Sequence, residues 1–240
     1  MNVKELGTKE LLPSYRDPNL QLKDLPTGSA IPLSKQLLDL KQYTGKLKEL
    51  VGEERTNFTL ANGVTFVVAS SNDIGTNYFV TGLRRWDYDI PSYTDFLVKS
   101  ASNFVKELYG LGVRRISVFS APPLGCVPAV RTLVGGLRKG CVYEPNEAAK
   151  SFNAKLSAEL GNRNNTVPHS RVVYIDVYNP LLHLIENPKK YGLEIADKGC
   201  CGTGTVEVVL LCNQCYHPTE KAYKILANQL LGKYVNNSFL

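Results

Sequence analysis

The chain has 240 residues, 43% hydrophobic and 21% charged, with 28 Lys and Arg against 22 Asp and Glu for a formal charge of +6. That length buries one sizeable core, and the composition excludes a disordered, collagen-like or coiled-coil polypeptide. The basic residues are scattered, with no run of four, so the charge supports a mild attraction to acidic surfaces and not a nucleic-acid face.

Residues 1–30 are polar and turn-rich, with Pro13, Pro18, Pro26 and Gly28 as punctuation, and read as loop. Leu33, Leu37, Leu40, Leu47, Leu50 and Val51 recur at helical spacing, interrupted by Gly45. Val64 to Ala69 reads as a buried parallel strand opening onto the polar cluster Ser70-Ser71-Asn72-Asp73. The spacing of Phe96, Leu97, Ala101, Phe104, Val105 and Leu108 predicts a helix over 94–109, stopped by Gly110 and Gly112.

Val113 to Ser120 is the second strand, ended by Pro122 and Pro123. A helix over 145–160 turns Ala149, Phe152, Leu156 and Leu160 inward, and Val172 to Asp176 is a third strand. A short helix over 178–186, an apolar run from Val206 to Cys212 and a last helix from Thr219 to about Val235 complete the order. Strands alternating with amphipathic helices predict an α/β fold around a parallel sheet. The whole chain, 1–240, reads as one domain, irregular over 1–32 with an α/β core over 33–235.

Six cysteines are present. Cys126 and Cys141 bracket a Gly-rich loop, Cys200 and Cys201 are adjacent, and Cys212 and Cys215 form a C-x-x-C. Adjacent cysteines are awkward zinc ligands, and the C-x-x-C does not open a helix after an early strand. Disulfides or unpaired thiols are therefore favoured, and no metal site is assigned. An oxidising compartment would suit these cysteines and the sequons at Asn57, Asn164 and Asn236. Against this, the start MNVKELGTKELLPSY has no apolar region of the signal-peptide kind, and no apolar run approaches the ~20 residues of a membrane helix.

Ligands of parallel sheets gather at the carboxyl ends of the strands. Asn72 and Asp73 fall there. Asn72 could donate to a developing oxyanion and Asp73 could cap the following turn, or both could simply satisfy the turn. His217 stands before Pro218, which keeps it out of the last helix. It is a candidate general base, or a structural loop residue. His169 and His183 read as surface or packing residues. No G-x-G-x-x-G, P-loop, H-E-x-x-H or G-x-S-x-G occurs, so no nucleotide, metal or ordinary α/β-hydrolase motif is present.

The blocks VTFVVASSNDIGTNYF (64–79), VRRISVFSAPPLGCVPAVRTLVGGLRKGCV (113–142), KGCCGTGTVEVVLLCNQ (198–214) and YHPTEKAYKILA (216–227) strongly resemble those of plant GDSL esterases/lipases of the SGNH hydrolase superfamily. The resemblance covers nearly the whole chain. It implies a flavodoxin-like three-layer α/β/α sandwich, hydrolysis of carboxylic esters by a Ser-His-Asp triad, no cofactor, and a small-molecule or lipid ester as substrate. By resemblance, Asn72 is the oxyanion donor and His217 the base. Ser70 occupies the family's usual glycine position.

The departures are as informative. The G-D-S block with its first strand and serine nucleophile has no counterpart, so no nucleophile is assigned and Ser71 is not placed as a substitute. The glycine of the second block is missing, and Gln214 stands where the family aspartate precedes the histidine by three residues. These gaps lead us to expect a truncated and internally deleted chain, with sheet edges and apolar faces uncovered by the lost strand. The family implies a secreted protein, which the amino terminus does not match. The expected product is an ester hydrolase by ancestry with little or no activity, or an inactive fragment that binds esters or a partner.

Overall fold

The computed structural model describes residues 32–136, 140–164, 169–198 and 217–235. The run at 206–212, the turn-rich segment 1–30, Cys200, Cys201, Cys212, Cys215, Gln214 and Asn236 lie outside them. Contacts divide the chain between Thr56 and Asn57.

In the first unit, helix α1 spans Leu33–Val51, the predicted range, and passes through Gly45 without a break. Its apolar stripe is less buried than a core-facing helix implies. Leu33, Leu37, Leu40 and Leu47 are half-buried, no α1 residue is fully buried, and Leu50 is 81% exposed. Lys35 pairs with Asp39 at 2.8 Å, one turn on. At the carboxyl end Gly52 turns at φ 83 and returns its N–H to Lys48, while the Lys48 ammonium meets Glu53 at 2.6 Å. Helix α2, Glu53–Asn62, follows at once. Its alanine-poor, Thr- and Asn-rich sequence carries no apolar periodicity, which is why the sequence did not announce it.

The second unit is an α/β fold on a parallel sheet. Strands β1 (Val64–Val67), β2 (Arg115–Phe119) and β3 (Arg171–Ile175) lie in the order β1-β2-β3. Val64 pairs with Arg115 and Arg115 with Arg171, so the three strands run in step. The central β2 is covered on both faces: Ile116 and Val118 are buried on one, and Ser117 is fully buried on the other. Helix α3 runs from Ile90 to Gly110, its amino terminus capped by Asp89 accepting from the Ser92 N–H at 2.8 Å. Its Leu97, Ala101, Phe104, Val105 and Leu108 are buried, but Phe96 of the expected stripe is 45% exposed.

Helix α5, Tyr143–Asn164, lies between α3 and β3 and buries the four residues expected of it, Ala149, Phe152, Leu156 and Leu160. Before it comes the short helix α4, Pro128–Leu133. Helix α6 (Tyr178–Glu186) and helix α7 (Glu220–Leu230) share a small apolar cluster of Leu184, Ala222 and Leu226. Leu181, Tyr191, Leu193 and Ile225 close over it. A wider-wound turn, Leu231–Val235, continues α7. Central parallel strands with flanking helices form a reduced version of the expected sandwich.

Among the described residues β1 and β3 are the edges of the sheet. Alternate residues of a strand share a face, and here Val64, Phe66 and Val68 are 37%, 37% and 72% exposed while Val67 opposite is buried. Phe66 finds one partner, the ring of Phe119 at 5.8 Å, edge-on.

The segment leaving β2 is the most tightly specified part of the unit. The buried Asn153 side chain of α5 accepts from the Ala121 N–H at 2.7 Å and donates to the Ala121 carbonyl at 2.9 Å. Asn146 accepts from the Gly125 N–H at 2.8 Å, and the Gly125 carbonyl takes the Val142 N–H at 2.8 Å. A disulfide joins Cys126 to Cys141, and closing a loop of that length is worth about 3 kcal/mol in the chain-entropy view. A side chain on Gly125 would put its Cβ 1.9 Å from the Val142 carbonyl oxygen.

The segment leaving β1 is strained instead. Ser70 turns at φ 95, where L residues are disfavoured, and its buried hydroxyl has no hydrogen-bond partner among the described residues.

Two outcomes follow. Gly125→Ala should destabilise the fold by about 2–3 kcal/mol, since backbone and not a mobile side chain must yield, read as a lower midpoint in urea. Ser70→Gly should stabilise it by about 1 kcal/mol, the relieved strain and lost orphan hydroxyl outweighing the entropy of glycine. A thermal melt showing Ser70→Gly less stable than the parent would refute that account of the turn.

Candidate functional site

Parallel strands in register bring their carboxyl ends together, and three short segments leave the sheet there: Ser70–Asp73 after β1, Ser120–Leu124 after β2 and Asp176–Val177 after β3. The second and third are tied. Ser120 donates its N–H to the Ile175 carbonyl at 2.9 Å, and its hydroxyl accepts from the N–H groups of Val177 and Tyr178 at 2.9 and 3.3 Å. The Tyr234 hydroxyl, from the turn beyond α7, accepts the Asp176 N–H at 3.2 Å. Burial pushes the Tyr174 phenol nearby up to about 12, against a hydrogen bond with Ser120 that pulls it back.

Asn72 opens the wide helical turn Asn72–Val80, so the polar cluster after β1 is a helix start and not an open loop. Asn72 is exposed, and the helix it opens lies against Leu124 of the β2 segment, whose Cδ2 would be 3.6 Å from a Cβ on Gly75. Asp73 is half-buried. Burial lifts its carboxyl above the ordinary carboxylate range, opposed by its own N–H, Arg84, Asn77 and the Ser70 N–H. These partners are not the backbone N–H groups of the following turn, so the capping role considered for Asp73 is not seen. Behind it the Tyr93 hydroxyl donates to the Asp73 carbonyl at 3.3 Å, and that phenol is pushed up to about 12, first by burial and then by the Asp73 charge.

His217 precedes α7, held there by Pro218 and by the Thr219 cap, whose hydroxyl accepts from the Ala222 N–H at 3.3 Å. The ring is exposed, and its Nδ1 lies 3.1 Å from the Tyr223 hydroxyl on the first turn of α7. Burial raises the Tyr223 phenol above its ordinary value. Among the described residues no carboxylate is bonded to this ring and no hydrogen bond links His217 to Asn72. Sequence reasoning missed Tyr223; the signal was its place six residues on, where a first helical turn folds back over its cap. His183 bonds through Nδ1 to Tyr191 at 2.7 Å within its own hairpin, and His169 takes a left-handed turn at φ 58, both in keeping with surface or packing roles.

Among the described residues no group of three His, Cys, Asp or Glu gathers to hold a metal, and no helix is long and apolar enough to cross a membrane.

Comparison with known proteins gives the lineage. The GDSL-like Lipase/Acylhydrolase family matches residues 17–230. Two similar relatives are the GDSL esterase/lipase EXL3 of Arabidopsis thaliana, 44% identical across 98% of this chain and 73% of the relative, and EXL2 of the same plant, 37% identical across 96% and 73%. The alignment to EXL3 runs over 268 positions against a chain of 240, so at least 28 of them have no counterpart here. With its matched span, parallel sheet and relatives in agreement, the chain belongs to the GDSL-like lipase/acylhydrolase family of SGNH hydrolases.

Proposed function

We propose that the chain carries the amide and imidazole of a carboxylic-ester hydrolase site, Asn72 as oxyanion donor and His217 as base, and that the 240-residue polypeptide alone turns esters over little or not at all. In the ancestral reaction a serine hydroxyl attacks the ester carbonyl while the imidazole takes its proton. An amide N–H stabilises the tetrahedral anion, and water then releases the acyl group. No G-D-S block supplies that hydroxyl in this sequence.

The observation that carries the proposal is the partner of His217. A base that collects a proton on Nε2 needs Nδ1 protonated and, in a triad, a carboxylate beside it to stabilise the imidazolium. Here a neutral phenol stands 3.1 Å from Nδ1. If Tyr223 donates, the ring proton sits on Nε2 and the base is in the wrong tautomer. If Tyr223 accepts, the tautomer is right but no carboxylate among the described residues stands beside the ring. Either way the described arrangement differs from that of a triad. The Cys126–Cys141 disulfide supports an oxidising, secreted setting for the chain.

A fluorophosphonate probe, which labels only an activated serine, should leave the purified chain unlabelled, and short-chain nitrophenyl esters should be cleaved no faster than in buffer. Labelling or turnover that disappears on His217→Ala would overturn the inactive reading. Tyr223→Phe should leave any residual rate within about twofold, whereas loss of a true orienting group costs orders of magnitude. A large loss on that change would assign Tyr223 the orienting role instead.

A further inference from the structure

The turn Leu83-Arg84-Arg85-Trp86 is used neither by the core nor by the candidate site. It is a single 3-10 turn, in which residues three apart eclipse, so Leu83 and Trp86 share a face. They are 65% and 90% exposed, and Trp86 is the chain's one tryptophan. A tryptophan spends most of its surface indoors in ordinary soluble domains, which makes this exposure informative.

The turn is held in place. Gly82 enters it at φ 70, a left-handed conformation that glycine adopts freely. The Arg85 Nε donates to the Tyr78 carbonyl at 3.0 Å, and its guanidinium lies 5.1 Å from the Phe79 ring centre and 5.5 Å from that of Tyr78. Arg84 lies near Tyr93 and pulls its phenol back toward the ordinary value, and the Tyr93 hydroxyl donates to the Asp73 carbonyl at 3.3 Å. Its acidic neighbours are already engaged: Asp87 lies 3.7 Å from Arg84, and Asp89 caps α3 through Ser92.

We infer that this turn seats the protein on an anionic lipid–water interface, with Trp86 and Leu83 entering the headgroup layer and the chain's net positive charge, rather than Arg84 and Arg85, which are engaged within the turn, favouring the anionic surface. Magnitude decides against a protein partner. A stable protein interface takes about 800 Å² from each side, whereas a tryptophan and a leucine offer a fraction of that. A lipid interface needs only a small apolar tip, of the kind that aromatic residues form at membrane surfaces. The formal charge of +6 complements an anionic surface and draws the chain toward it.

The test uses Trp86 as its own reporter. Titrating the 240-residue chain with phosphatidylcholine vesicles containing phosphatidylglycerol should shift its emission to the blue, with a smaller shift for phosphatidylcholine alone and reversal by salt. In co-sedimentation the Leu83→Ser/Trp86→Ser double variant, its circular dichroism unchanged, should lose vesicle binding severalfold. His217→Ala should sediment like the parent, which separates this inference from the ester chemistry. Emission that does not move with either vesicle overturns the proposal. So does a double variant that sediments as well as the parent, or binding indifferent to lipid charge and salt.

Discussion

One buried amide fixes the geometry on which the rest depends. Asn153 holds both the N–H and the carbonyl of Ala121, so the chain leaving the central strand is fastened to α5 at the point where it must stop being a strand. A backbone residue in that position would otherwise bury two polar groups without partners, at a cost of about 1–3 kcal/mol each. With Ala121 fixed, Ser120 is placed to gather the N–H groups after β3, and Leu124 to support the helix that begins at Asn72. The disulfide and the side-chain-free Gly125 then draw the following loop against the start of α5.

The two strand ends beside it differ in character. The β2 end is held by the bonds of Asn153, Asn146 and Ser120, whereas the β1 end carries a serine in a strained conformation whose hydroxyl has no partner among the described residues, as Ser117 within β2 also has none. Glycine takes that conformation at little expense; Ser70 takes it with strain.

Much of this was legible in the sequence because it rests on periodicity. The stripe from Ala149 to Leu160 and the β-branched runs of β2 and β3 are strong local signals, and tertiary packing agrees with them. The stripe of α1 has the same period, yet it is not fully buried, because spacing identifies a helix face and not what that face meets. Asn153 and Tyr223 were invisible for a different reason: their roles come from atoms 32 and six residues away in the chain. The exposed tip at Trp86 was equally silent, since an aromatic residue between charged ones looks the same whether it packs or projects.

The bare flank of β1 bears on how this polypeptide fares inside a cell. Val64, Phe66 and Val68 present to water the kind of extended apolar surface that chaperones bind and proteolytic quality control inspects. A partner that covers this flank and binds only the folded chain would raise its apparent stability.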